Sequence, residues 1–302
     1  MLVEGPPEGL LDLANESISK AVAQSPYSEE DARESLNTIL EEEVTENFPG
    51  LSYVGAGVES IVVKNSKDNE EVTSYIHSEL SSSVFDEALQ FRVNKVMSSL
   101  FPDNIPNISS IQRRDALGMK RQEIIKGVDA VTKNRFEPIY RLVRRHNIPI
   151  NINDAQSENA HNFIVDSQGN EYYVDPPIIG GDLDDWDFSS FDALIKDPVY
   201  ISYAKEHLHS DIGNIKDAVR KEVVRIRELL ISQELAQRLL DKDDGVSDYG
   251  DDISYMNSSC AKYDINKENV VRNIKALGKI ENTSVRSLQD IKKKVEVFLQ
   301  GI

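Results

Sequence analysis

The chain of 302 residues has one cysteine, Cys260, and one tryptophan, Trp186. A single cysteine excludes an internal disulfide and any cysteine-built metal cluster, which suits a reducing compartment and sets a cytoplasmic location as the expectation. Histidine is nearly as scarce. There are five, and only His207 and His209 stand close together, in a stretch that otherwise reads as helix. No apolar run is long enough to span a bilayer, and the acidic N-terminus is unlike a signal or transit peptide. Positive charge is short as well: 34 Lys and Arg face 52 Asp and Glu, a net charge of -18. That balance argues against nonspecific attraction to nucleic acid or to anionic membranes. The deficit is concentrated in residues 1–50, whereas residues 262–302 are net basic, which fits two solvated helical faces.

What remains is enough for a core. Apolar residues make up 39% of the chain and mean hydropathy is -0.42, values of a globular protein with one large domain or two modest ones. Residues 10–23 and 29–47 read as helices, the second with Ala32, Leu36, Ile39, Leu40 and Val44 on one face. The period then changes. "LSYVGAGVESIVVKNSKDNEEVTSYIHSE" reads as three strands joined by a Gly turn and a polar turn. Residues 84–100 return to helix, with Phe85, Leu89, Val93, Val96, Met97 and Leu100 inward. Weaker strand-like segments follow near 108–111 and 121–126.

A helix starts at Pro138 and runs through His146. After Pro177 the chain is again helical. The longest helix spans about 212–240 and is interrupted by "DKDDGVSDYGDD", an acidic linker that lacks the bidentate Glu of a calcium loop. Helices at 266–277 and 284–300 complete the chain. The order implies an α+β, two-lobed plan: an acidic helical segment (1–48), a β-rich lobe (49–126), a helical lobe (127–258) and a C-terminal helical segment (259–302).

The most organised short passage is "NFIVDSQGNEYYVDPP", Asn162 to Pro177. Two short apolar strands flank an Asp/Gly/Asn turn, which is a β-hairpin by pattern. Pairing of the strands brings Asn162 and Asp175 to the same edge of the hairpin, a placement open to two readings, chance or two ligands for one ion.

This passage resembles the protein-kinase-like superfamily, nearer its aminoglycoside phosphotransferase-like branch. In that family a catalytic loop supplies an Asp and then an Asn, and a strand–turn–strand delivers a second Asp to magnesium. The resemblance implies a kinase-like fold with a small antiparallel sheet lobe, a helical lobe and extra helices at both termini. It implies Asn162 and Asp175 as metal ligands, Asp154 as the catalytic base, and ATP with Mg2+ as cofactors. Asp154 lies five residues before Asn159, so two alignments stand: Asp154 with Asn162 across a longer loop, or Asn159 as the metal ligand. "GAGVES" resembles the family's turn over the nucleotide phosphates, with Gly55, Gly57 and Ser60 as the binding residues. "IVVK" puts Lys64 on the second strand, with Ile61 and Val63 on one face and Val62 and Lys64 on the other. The third strand offers Thr73, Ser74 and Tyr75 where the family's lysine stands, and the helix after it offers Glu87 as that lysine's partner. Pro176 and Pro177 follow Asp175 and stiffen the backbone there. "GGDLDDWDF" resembles a later family segment whose Asp anchors the catalytic loop, a role open to Asp185 or Asp187, with Trp186 in the core. The implied function is ATP-dependent transfer of a phosphoryl group to a hydroxyl acceptor. The alternative is a catalytically inactive, pseudokinase-like binding protein.

Overall fold

A computed structural model describes residues 9–10, 13, 16–17, 29–56, 60–65, 71–77, 85–114, 117–123, 127–129, 137–152, 163–167, 169–174, 178–208, 211–242, 248–277 and 286–301. The chain is mixed α+β, mostly helical with small antiparallel sheets. It forms two compact units, residues 1–82 with 108–124, and residues 83–107 with 125–302.

The first unit is a five-stranded antiparallel sheet with a helix on one face. The strands are β1 (Leu51–Ala56), β2 (Ser60–Asn65), β3 (Glu71–His77), β4 (Ile108–Arg114) and β5 (Leu117–Glu123), in the order β1-β2-β3-β5-β4. Helix α1 (Glu29–Asn47) lies against β1. Period decides what is buried. Leu36, Leu40 and Val44 recur at helical spacing on α1, and Ile61 and Val63 alternate on β2; all five are buried in one small core with Leu10. Tyr53 is paired with Val63, packs on the same core, and donates its hydroxyl to Asn37 Oδ1 on α1. The helix at 29–47 thus has the limits its pattern predicts and serves as the cover of the sheet.

The second unit is built around α6 (Ile212–Leu240), whose Ile215, Val219, Val223, Ile226, Ile231, Leu235 and Leu239 are buried. Helix α2 (Asp86–Leu100) packs along it, and Arg92 on α2 forms an ion pair with Glu222 on α6 at 3.0 Å. The remaining helices are α3 (Glu137–Arg145), α4 (Phe188–Ile195), α5 (Pro198–His207), α7 (Gly250–Lys262), α8 (Lys267–Leu277) and α9 (Arg286–Gln300). Asp197 caps α5 by accepting from Val199 N at 2.8 Å, with Pro198 at the first helical position, and Asp211 caps α6 through Gly213 N at 2.8 Å. Val270, Ile274, Val295 and Phe298 from the last two helices join the main core. Three short strands, β6 (Gly127–Asp129), β8 (Phe163–Asp166) and β9 (Glu171–Tyr173), form one sheet, and β7 (Ile150–Asn151) pairs with β10 (Ile178–Ile179) in another. The two-residue strands and β6 have no periodic signal in the sequence.

Candidate functional site

The hairpin expected from "NFIVDSQGNEYYV" is present, with Phe163 opposite Tyr173, Ile164 opposite Tyr172 and Val165 opposite Glu171. Its turn is tied by Asp166. The Asp166 carboxylate accepts from Asn170 N at 2.8 Å, from Asn170 Nδ2 at 2.9 Å and from the Tyr172 hydroxyl at 3.3 Å. Gly169 takes φ 79°, the left-handed region where a side chain is disfavoured, which explains the glycine in the turn. Burial, and then the Asp166 carboxylate, push the Tyr172 phenol up from its ordinary value. At the open end Phe163 and Tyr173 are buried with ring centroids 5.2 Å apart, which fixes the strand ends against the core. Val174 follows there; Asn162 and Asp175, the expected metal ligands, lie outside the described residues.

A second pairing brackets the same segment. Asn151 pairs with Ile178 and Ile150 with Ile179, and Gly180 N donates to Pro149 O at 2.9 Å. Between β7 and β10 the chain carries the β8–β9 hairpin, which belongs to the same unit and sets Phe163 and Tyr173 in its core. The expected base Asp154 and the alternative ligand Asn159 lie between β7 and β8 in sequence, outside the described residues. A Cβ on Gly180 would come within 3.3 Å of Pro149 O, so the close approach of the two strands favours glycine there.

The next segment folds back on itself. Gly181 has φ 69°, and Asp182 N donates to the Asp185 carboxylate at 2.7 Å, closing a tight turn. Trp186 is fully buried as expected, stacked on Phe191, with its indole N–H donating to Gly180 O at 3.2 Å. Asp187 accepts from the Ser189 hydroxyl and stands 3.9 Å from Arg227; the Ser189 bond holds its carboxyl below the usual range. Asp184 is held down chiefly by Lys262, at 2.7 Å, and then by the Tyr263 hydroxyl. Asp185 thus serves its own turn, while Asp187 joins its neighbour Ser189 to Arg227 on α6.

In the first unit Gly55 belongs to β1 rather than to a turn. It pairs with Val62 next to an irregularity between Tyr53 and Gly55, and a Cβ there would meet nothing within 4 Å. The strand continues through Ala56, so the connection to β2 is shorter than the Gly pattern suggests. Gly57 lies outside the described residues, and Ser60 opens β2 with its backbone opposite Ile76. Lys64 stands on the face opposite buried Ile61 and Val63, half-buried, as alternation predicts. The side chain of Glu87 is outside the described residues. Among the described residues, no group of three or more His, Cys, Asp and Glu side chains is poised to hold a metal ion.

One residue that holds the hairpin was not singled out by sequence reasoning. Asn104, buried in the "FPDNIPN" loop, donates its amide to Glu171 O at 2.9 Å and accepts from the Tyr203 hydroxyl at 3.0 Å; its backbone O accepts from Tyr173 N at 2.8 Å. This loop therefore continues the hydrogen bonding of β9 toward α5. A buried Asn in a loop has no period, so only its polarity among Phe101, Ile105 and Pro106 was available as a signal. No protein-family model matches the chain, and no curated protein matches it. The residues themselves carry the functional argument.

Proposed function

We propose that the chain is a kinase-like, ATP-dependent phosphotransferase acting on a hydroxyl acceptor. The single observation that carries this reading is the double bracket around residues 152–177. The outer pair is β7 with β10 and the inner pair is the β8–β9 hairpin. Asp154 and Asp175 each lie three residues along the chain from Asn151 and Ile178, which are cross-strand partners. Asn162 directly precedes Phe163, whose cross-strand partner is Tyr173. The pairing joins described residues on either side of the three candidates, and that supports the reading. The donor set suits magnesium, because an Asn carbonyl and an Asp carboxylate are hard oxygen ligands. Asn162 and Asp175 would hold the ion, which neutralises charge on the bound triphosphate. Asp154 would accept the proton of the acceptor hydroxyl.

One observation favours the same fold without chemistry, as a catalytically inactive, pseudokinase-like binding protein. The third strand, Glu71–His77, contains no lysine, and Lys64 stands on β2. Two substitutions separate the readings. Asp175→Asn removes the charge that balances the metal, so magnesium-dependent stabilisation by ATP and any ATP turnover fall together. Asp154→Asn leaves the stabilisation intact and abolishes turnover in the enzyme, whereas in the binding module it changes neither. Melting curves with ATP, with and without magnesium, and an ADP-formation assay on the parent and both variants decide. A parent that gains no stability from ATP at any magnesium concentration refutes the phosphotransferase.

A further inference from the structure

We infer that the second unit carries a separate binding groove for a small organic cation, an ammonium or guanidinium group on an aliphatic or aromatic body. The groove has a volume of about 510 Å³ and runs between α3 and one face of α5. That size falls in the ordinary range for small-molecule sites. Positions 199, 202, 203, 206 and 207 of α5 line it at the three- and four-residue spacing of a single helix face. Its far wall is the turn end of the hairpin, at Asn170 and Glu171, the opposite end from Phe163 and Tyr173. None of Ile152, Phe163, Val174 and Ile178, the described neighbours of the candidate segments, lines the groove, and the inference stands independently of the proposed phosphotransferase.

The two ends of the groove differ in chemistry. Val199 on α5, 47% exposed, supplies the accessible apolar floor, backed by buried Ile139 and Leu142 on α3. Tyr203 forms a wall whose ring stacks on His207 at 4.6 Å between centroids. At the polar end, Asp103 and Glu206 flank one imidazole. His207 Nδ1 lies 3.0 Å from Asp103 Oδ2, and Nε2 lies 3.9 Å from Glu206 Oε2. Among the described residues neither carboxylate has an ion-pair partner other than His207. A neutral imidazole carries one N–H and so can serve one carboxylate; its other nitrogen is an acceptor that turns a lone pair to the second. Two negative charges thus face one proton, and the mismatch favours a ligand that brings its own positive charge. The apolar floor selects a ligand with a hydrophobic body, since a bare metal ion would leave that surface wet. The cation can come from a free amine or from a lysyl side chain, and the chemistry of recognition is the same for both.

The test uses the whole chain at a pH where imidazole is neutral. Calorimetry with 4-phenylbutylamine, its uncharged isostere 4-phenylbutanol, and a lysine blocked at both ends separates charge from burial and one source from the other. The amine is expected to bind about fivefold more tightly than the alcohol, as befits a partly solvated ion pair. Asp103→Asn combined with Glu206→Gln should abolish that preference and leave the alcohol's affinity unchanged. Should the double variant fold poorly, Glu206→Gln alone, at an exposed position, should halve the preference or more. Whichever of the arylalkylamine and the blocked lysine binds more tightly names the source. Equal binding of amine and alcohol, a preference that survives in a folded double variant, or no binding of any probe up to about 20 mM overturns the inference.

Discussion

Replacing Asn104 with Ala should loosen the hairpin by a magnitude that can be worked from its three bonds. The backbone bond from Tyr173 N to Asn104 O survives the change, while the two side-chain bonds, at 2.9 Å and 3.0 Å, are lost. Glu171 is buried at 3% exposure, so its carbonyl loses a partner where water cannot readily replace it. That loss costs about 2 kcal/mol. Tyr203 is only half-buried, and its hydroxyl can recruit water, so the second loss costs about 1 kcal/mol. Asn104→Ala should therefore cost about 3 kcal/mol, and Tyr203→Phe about 1 kcal/mol. Because they share one bond, the double variant should cost about 3 kcal/mol rather than the sum. Trp186 makes the assay selective: it is the chain's one tryptophan, fully buried in the second unit. Urea unfolding followed by its fluorescence reports that unit, and for a unit of this size 3 kcal/mol lowers the midpoint by about 1 M or somewhat more. A shift of Asn104→Ala below about 0.5 kcal/mol, or strict additivity in the double variant, refutes the reasoning.

Two further outcomes follow from local geometry. Gly181→Ala places a methyl at φ 69° and within 2.6 Å of Asp185 Oδ2 and 2.9 Å of Asp185 Cβ, so it should destabilise by about 2 kcal/mol; an unchanged urea midpoint would show that the turn relaxes freely. Asp197 accepts from His146 Nε2 at 2.9 Å, from Val199 N at 2.8 Å and from Arg145 at 3.3 Å, and the His146 bond leads in holding its pKa down. A carboxyl depressed in the folded state contributes stability that is fully present above its unfolded pKa of about 3.9 and is lost as pH falls through the lower folded value. Asp197→Asn keeps a good N-cap, so the stability lost between about pH 5 and pH 2 should be smaller in the variant than in the parent; equal losses would remove Asp197 from the acid response.

Long periodic elements were legible in the sequence. The helix at 212–240 has its predicted limits because apolar residues recur at helical spacing along its whole length and Asp211 caps it. Lys64 was placed on its face by alternation alone, since the pleat decides orientation once Ile61 and Val63 are buried. The hairpin was legible because the Asp166 and Gly169 positions of its turn have distinctive chemistry. What was not legible is short or non-local. Gly55 was expected in a turn, yet it pairs with Val62 as part of β1, since glycine tolerates an irregular strand as well as a turn. The two-residue strands β7 and β10 are too brief for any period, and their pairing joins residues far apart in the chain. The partnership of Asn104 with Tyr203 spans 99 residues, a distance over which local pattern carries no information. For the candidate site, the residue types were legible, and the bracket that gathers their flanks emerged only from the pairing of strands.

The two compact units are interleaved along the chain, and this bears on how the protein is made. Strand β3 has β2 on one side and β5 on the other, so the sheet stays incomplete until residues 117–123 leave the ribosome. By then α2 has already emerged, yet its main packing partner, α6, is encoded more than a hundred residues later. During synthesis the apolar face of α2, with Leu89, Val93, Val96 and Leu100, must wait uncovered while the sheet on either side of it in sequence closes. A ribosome stalled near residue 170, far enough for β5 to have cleared the exit tunnel, should therefore hold a finished sheet and an exposed helix, a species that chaperones would bind and that neither unit's stability in the complete protein would reveal.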